Sequence, residues 1–203
     1  MKTITHYLLA FLMISTSMFA QNGDGISRDD KKRAVNSLEK AKEETLDLVE
    51  GLSKEQLSFK PSEDSWSIAE CVEHLAITEE MMLDMIAKTL EQEGDPAKKA
   101  QIKDDKDIYG MITDRSQKVK TSEPMEPSNK YGSFKDTRKA FAKNRSATVK
   151  YLEKTDANLR NHFQDMPFGP VDAYQLFLFD AGHNIRHNEQ IKEIMAHSEY
   201  PAK

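Results

Sequence analysis

The chain has 203 residues, a length for one domain, with 38% hydrophobic and 31% charged residues. Its 8 glycines are too few for a turn-rich all-β fold, and the composition suits amphipathic helices with charged outer faces. The net charge of −5 comes from acids and bases mixed along the chain, with no basic stripe, which argues against a nucleic-acid partner.

The opening segment, MKTITHYLLAFLMISTSMFAQ, sets Lys2 before an apolar run from Tyr7 to Ala20. A membrane span takes about 20 apolar residues, and this run is shorter. Residues 1–20 therefore read as a secretory signal peptide cut near Ala20, with 21–203 as the mature domain. Met18 is bulkier than the small residue expected two places before the cut, so an uncleaved anchor is the alternative. No cysteine follows the run, which excludes a lipid anchor at that junction. The expected product is secreted or periplasmic, with no stable membrane span after cleavage.

Four long helices follow, each announced by local signals. Ser27 and Asp30 form a capping box, in which the two residues satisfy each other's orphan backbone donors. Ala34, Leu38, Ala41, Thr45, Leu48 and Leu52 then recur every three or four residues, and Gly51 marks the end. Ser53 and Gln56 start a short turn that Pro61 stops. Ser67 and Glu70 open a second helix to about Glu93, with Cys71, His74, Thr78, Met81 and Met85 as its inward stripe. Cys71 is the sole cysteine, so no intramolecular disulfide can form, and it reads as a small buried apolar group.

Residues 94–132 are rich in Lys and Asp, with one short helix expected near DIYGMITDRSQKV, Asp107 to Val119. A connection of this length inside one domain suggests a bundle crossover. Ser133 and Asp136 open the third helix, which carries Phe141, Ala142, Thr148, Val149 and Leu152. The fourth starts after PFGPV, with Pro170 in its first turn, and runs to about His197. No strand is expected. The fold class is all-α, a four-helix bundle with a long crossover between helices two and three.

On the fourth helix, Leu176, Asp180, His183, His187, Gln190 and Ile194 share a face. Polar groups in a core-facing stripe are costly unless something satisfies them. His183 and His187, one turn apart, can reach one ion, and His74 on the second helix can supply a third imidazole. Spacing alone fits metal ligands and hydrogen-bonded core histidines about equally. Three imidazoles would leave a coordination position open, as catalytic sites do, and Zn, Ni, Mn and Fe all accept such ligands. Asp180, one turn before His183, is the candidate to orient a ligand or accept a proton. Gln190 can hold His187 in its metal-binding tautomer, and Asp114 and Arg115 can line the mouth. His162 and His197 carry no signal of function.

SWSIAECVEHLAITEE (Ser65 to Glu80) followed by HNIRHNEQI (His183 to Ile191) resembles the DinB-like superfamily of helical bundles. Trp66 to Glu70 matches its Trp-Ser/Thr-Ile-x-Glu opening, and Arg186 to Ile191 its R-H-x-x-Q-I ending. The resemblance implies a four-helix bundle with a long second crossover and a metal triad at His74, His183 and His187. It also brings metal-dependent hydrolases and thiol-dependent S-transferases into view. Small thiols are cytosolic cosubstrates, so an exported chain favours the hydrolase. A non-enzymatic metal-binding or structural bundle is the third reading. A small-molecule substrate is expected, and the charged outer faces do not forbid a homodimer.

Overall fold

The computed structural model describes residues 25–116 and 119–202; the expected signal peptide and His6 lie outside them. Helix α1 spans Arg28–Leu48, α2 Lys54–Ser58 and α3 Ile68–Glu91. All three start at the serine expected. Ser27, Ser53 and Ser67 each accept from the backbone N–H three residues on, and Asp30, Gln56 and Glu70 return the bond. Gly51, just beyond α1, has φ +69°, a left-handed turn that a residue without Cβ adopts at no steric cost.

Helix α4 (Asp105–Thr113) lies in the crossover, shorter than the expected helix. It ends before Asp114, whose carboxylate takes the N–H of Ser116 at 2.8 Å and so turns the chain. Helices α5 (Phe134–Lys154) and α6 (Ala173–Met195) complete the set. Pro170 is not in the first turn of α6. It sits in β2 (Gly169–Asp172), which pairs antiparallel with β1 (Phe163–Met166), Met166 opposite Gly169. The two-residue loop Pro167–Phe168 closes this hairpin, and Gly169 at φ +118° allows the bend. These strands were not expected, because four-residue segments carry almost no periodic signal. Asp172 caps α6 instead, accepting the N–H of Gln175 at 2.8 Å.

Helix α1 packs on α5 and α6, and α3 on the same two, so the four long helices form a ring in the order α1, α5, α3, α6. The long connection between α3 and α5 thus joins neighbours and lays α4 along α6 on the way. One apolar cluster gathers Leu38, Ile86, Leu152, Leu176 and Phe177; a second gathers Ile68, Leu75, Phe141 and Ile191. Each such side chain stabilises by roughly 1.5–3 kcal/mol when fully buried. The expected stripe of α3 is corrected in its second half. Met81 is 38% exposed, and Met82 and Ile86 are buried in its place. From Cys71 to Glu79 every residue is buried, because α2, α5, α6 and the crossover turn Glu123–Met125 surround that part of the helix.

The interior also holds a charge cluster. Arg145 of α5, 0% exposed, pairs with Glu79 of α3 at 2.5 Å and with Asp180 of α6 at 3.0 Å. Asp180 was expected to serve the metal, and it is placed otherwise: it is fully buried, and its carboxylate is committed to Arg145. The physical reason lies in the helix. At 100° per residue, Asp180, Asn184 and Asn188 drift to one side of the bundle-facing surface, and His183, His187 and Gln190 to the other. Asn184 accepts from Arg145 at 3.3 Å and donates to Thr45 of α1 at 2.8 Å. Asn188 takes the Thr45 hydroxyl at 2.6 Å and donates to the Ala41 carbonyl at 3.0 Å. Every amide of this stripe therefore has a partner on another helix.

Burial raises the pKa of both carboxyls, of Glu79 well above the usual carboxylate range. A single guanidinium cannot neutralise two buried carboxylates, and Asp180 Oδ1 has no hydrogen-bond donor unless Glu79 is protonated. A proton shared between the two carboxyls would relieve that conflict, and burial favours the neutral form more strongly at Glu79.

Two expectations follow from this packing. A Cβ on Gly182 would overlap Ile112 of α4. Gly182→Ala should cost about 1–3 kcal/mol in denaturant unfolding and loosen α4 from α6, read as faster amide exchange in Asp105–Thr113. Glu79→Gln should stabilise the protein near pH 7, since burial penalises the ionised form of the wild-type carboxyl. A carboxyl with a raised folded pKa loses its stability contribution as pH rises, so the gain should vanish as pH falls through about 4.3, the unfolded glutamate value. Thermal unfolding of both proteins between pH 4 and 8 reads it; equal stabilities across the range would show Glu79 to be ionised.

Candidate metal centre

His74 comes from the second turn of α3, where the capping box at Ser67 fixes the start of the helix. His183 and His187 stand one turn apart on α6, against α3. The three rings converge. His183 Nε2 lies 3.1 Å from His74 Nε2 and 3.1 Å from His187 Nε2, and the three ligand atoms all fall within 4.8 Å of one another. At Zn–N bonds of about 2.0–2.1 Å, nitrogens on one tetrahedral ion stand about 3.3 Å apart. The spacing is thus near what a shared cation needs.

The outer nitrogens determine what the inner ones can do. His74 Nδ1 lies 2.7 Å from the Met125 carbonyl, which can only accept, so Nδ1 carries the proton. His187 Nδ1 donates likewise to Gln190 Oε1 at 2.9 Å. Both rings are left with bare Nε2 lone pairs pointing at His183. One proton on His183 Nε2 could serve one of them but not both, so a cation is the partner that satisfies all three.

Burial pushes the pKa of all three imidazoles down, for His183 and His187 well below the ordinary value. Desolvation is the largest cause in each ring. The neighbouring histidines add to it at His183 and His187, together with Arg145 and Arg186 at His183 and Arg115 at His187. The rings are therefore neutral at pH 7, the state in which imidazole binds a metal. His74 is 2% exposed, His187 7%, and His183 half-buried, so the cluster opens to solvent at His183.

Aromatic rings wall the cluster. Trp66 lies against His74 at 4.8 Å between centroids and stacks over His187 at 6.0 Å. Phe179 stacks on His183 at 6.3 Å, and Phe168 of the hairpin on Phe179 at 5.9 Å. Arg115 does lie beside the site, bonded to Glu193 through Nε at 2.7 Å and to the Arg186 carbonyl at 3.4 Å. The Asp114 carbonyl accepts from Arg186. Gln190 holds His187 as expected. Cys71 is fully buried, and burial pushes its thiol up to about 12, so it stays protonated and packs. His162 bonds to the Gln92 carbonyl and His197 to the Glu199 N–H, both away from the cluster.

Sequence reasoning missed three contributors. The Met125 carbonyl left no trace, since every residue has one. Trp66 lies in the Trp-Ser-Ile-Ala-Glu segment, where nothing in the sequence marks its ring as a wall of the site. Arg145 reads as one more cation on a charged helix, and only its lack of exposure sets it apart.

The chain is similar to known proteins of one helical family. The uncharacterized protein YuaE of Bacillus subtilis (strain 168) is 29% identical over 158 residues, covering 76% of this chain and 92% of its own length. The structure of YfiT from Bacillus subtilis is described as a probable metal-dependent hydrolase with an unusual four-helix bundle topology. It superposes with a TM-score of 0.54 at 17% identity, over 87% of this chain and 92% of that one, which shows a shared fold. Residues 37–191 match the DinB superfamily. That span runs from within α1 to the last turns of α6 and contains all three converging histidines, so the chain belongs to the DinB superfamily.

Proposed function

We propose that this protein is an exported metal-dependent hydrolase of a small-molecule substrate, with one divalent cation held by His74, His183 and His187. The observation that carries the reading is the convergence of three Nε2 atoms, two of them deprived of their protons by acceptors on the far side of the ring. A divalent cation held by three neutral imidazoles supplies Lewis acidity, polarising a carbonyl or phosphoryl oxygen and acidifying water. The protein's own groups do the rest. The Met125 carbonyl and Gln190 hold two rings in the ligating tautomer, and Trp66 and Phe179 exclude water from the sides. Half-buried His183 marks the side from which substrate enters. Asp180 acts through Arg145, fixing α6 against α3 and α5.

The leader reading places the mature chain outside the cytosol, where small-thiol cosubstrates are scarce, and this favours hydrolysis over thiol transfer. Among the described residues no helix is long and apolar enough to cross a membrane.

Protein purified without chelator from its own compartment should contain about one Zn, Ni, Mn or Fe per chain by elemental analysis, and His183→Ala should hold close to none. Esters, amides and lactones screened with the loaded and the stripped protein should reveal a hydrolysis that metal restores. A wild type that retains no divalent ion, with its three histidines titrating freely near about 6.5, would falsify the reading. A loaded protein inert toward every substrate class would leave a metal-binding bundle without catalysis.

A further inference from the structure

His74 is the one ligand that α3 contributes, and its orientation depends on the end of the crossover. The residue beside it, Glu73, is only 8% exposed and is not among the ligand atoms that converge. Its Oε1 instead accepts two backbone N–H groups, from Ser128 at 3.3 Å and from Lys130 at 2.5 Å. The residue between them, Asn129, has φ +59°. Asparagine enters this left-handed region more readily than most residues, and the resulting kink turns the flanking N–H groups toward one anion, as in a backbone nest. Glu80, seven residues after Glu73 and so on the same face of α3, takes the Lys130 ammonium at 2.5 Å and the Tyr131 hydroxyl at 3.4 Å. Two carboxylates therefore strap residues 128–131 along the helix.

The strap bears on the metal ligand through a short, stiff piece of chain. Met125, whose carbonyl faces His74 Nδ1 at 2.7 Å, is three residues before Ser128. Pro127 lies between them, with its own φ fixed, and it holds the preceding Glu126 extended, at φ −71° and ψ 145°. There is little slack to absorb a shift of Ser128 without moving the carbonyl. We propose that Glu73 is a positioning residue for the metal centre: by pinning the Ser128 and Lys130 amides it holds the Met125 carbonyl against His74, which fixes that ring's angle and keeps its Nε2 bare. The proposal rests on the metal reading above. It makes ligand geometry depend on a carboxylate that touches neither ligand nor ion, and it couples docking of the crossover to metal binding.

The test uses the full chain with Co2+ as the probe, its affinity measured by competition with a chelator and its coordination by visible absorption. Glu73→Ala should weaken Co2+ binding by about 10–100-fold, the usual range for partners behind a ligand, and change the absorption spectrum. Glu73→Gln keeps an oxygen able to accept both amides and should recover most of the affinity. If Glu73→Ala does not fold, Glu73→Asp takes its place: it keeps the charge, withdraws the oxygen by one methylene, and should show the same loss. A folded Ala or Asp variant with wild-type Co2+ affinity and spectrum, even with lowered thermal stability, makes Glu73 a loop anchor only and overturns the proposal. A wild type that binds no Co2+ overturns the metal reading and this proposal together, whereas binding shared equally by wild type and variant overturns this one alone.

Discussion

Three imidazole nitrogens face one another across the α3–α6 interface, and no placement of their hydrogens lets all three be satisfied by one another. Such a cluster is unfavourable in a dry interior. Neutral imidazole has one donor and one acceptor, and here two of the donors are turned outward to fixed acceptors. Protonating the rings is no remedy, because burial and mutual repulsion oppose it. A shared cation would remove the conflict. It would also tie α3 to α6 at the point where they carry the ligands, so the centre and the packing of those two helices depend on each other.

The scaffold around this cluster is more polar than its apolar core suggests. Helix α6 turns two hydrophilic stripes inward. One carries the histidines, and the other carries Asp180, Asn184 and Asn188, which bond to Arg145, Thr45 and the Ala41 carbonyl. A buried guanidinium costs several kcal/mol in desolvation, and the two carboxyls that face it tie α5 to both α3 and α6. The azimuth of α6 is fixed by the second stripe, and the histidine pair on the first is aimed as a consequence.

The crossover is part of the same construction. Its first half lies on α6, where Gly182 admits Ile112 and Arg115 meets Glu193. Its second half lies on α3, where it supplies the Met125 carbonyl and meets Glu73. A connection that passes over both ligand-bearing helices can shape the rim of the site without contributing a ligand.

Much of this was written locally. The serine caps at 27, 53 and 67 appear as read, because a cap is decided within four residues of chain, while Ser133 caps its helix with the Asp136 carboxylate taking the Ser133 hydroxyl rather than its backbone N–H. The histidine triad was legible through i, i+4 spacing and the motifs around it. The hairpin before α6 was not, nor was the exposure of Met81, since short strands and the far rim of a helix take their burial from neighbours distant in sequence. Asp180 shows the limit most plainly. One turn from His183, it looks like a ligand's partner, yet a rotation of some tens of degrees about the helix axis delivers it to Arg145 instead. The sequence by itself determined where helices begin, which faces are apolar and which side chains can bind metal. Only the tertiary structure decided which nitrogens are left bare and which carboxylates are already taken, because those depend on the relative rotation of packed helices and on backbone carbonyls that every residue carries alike.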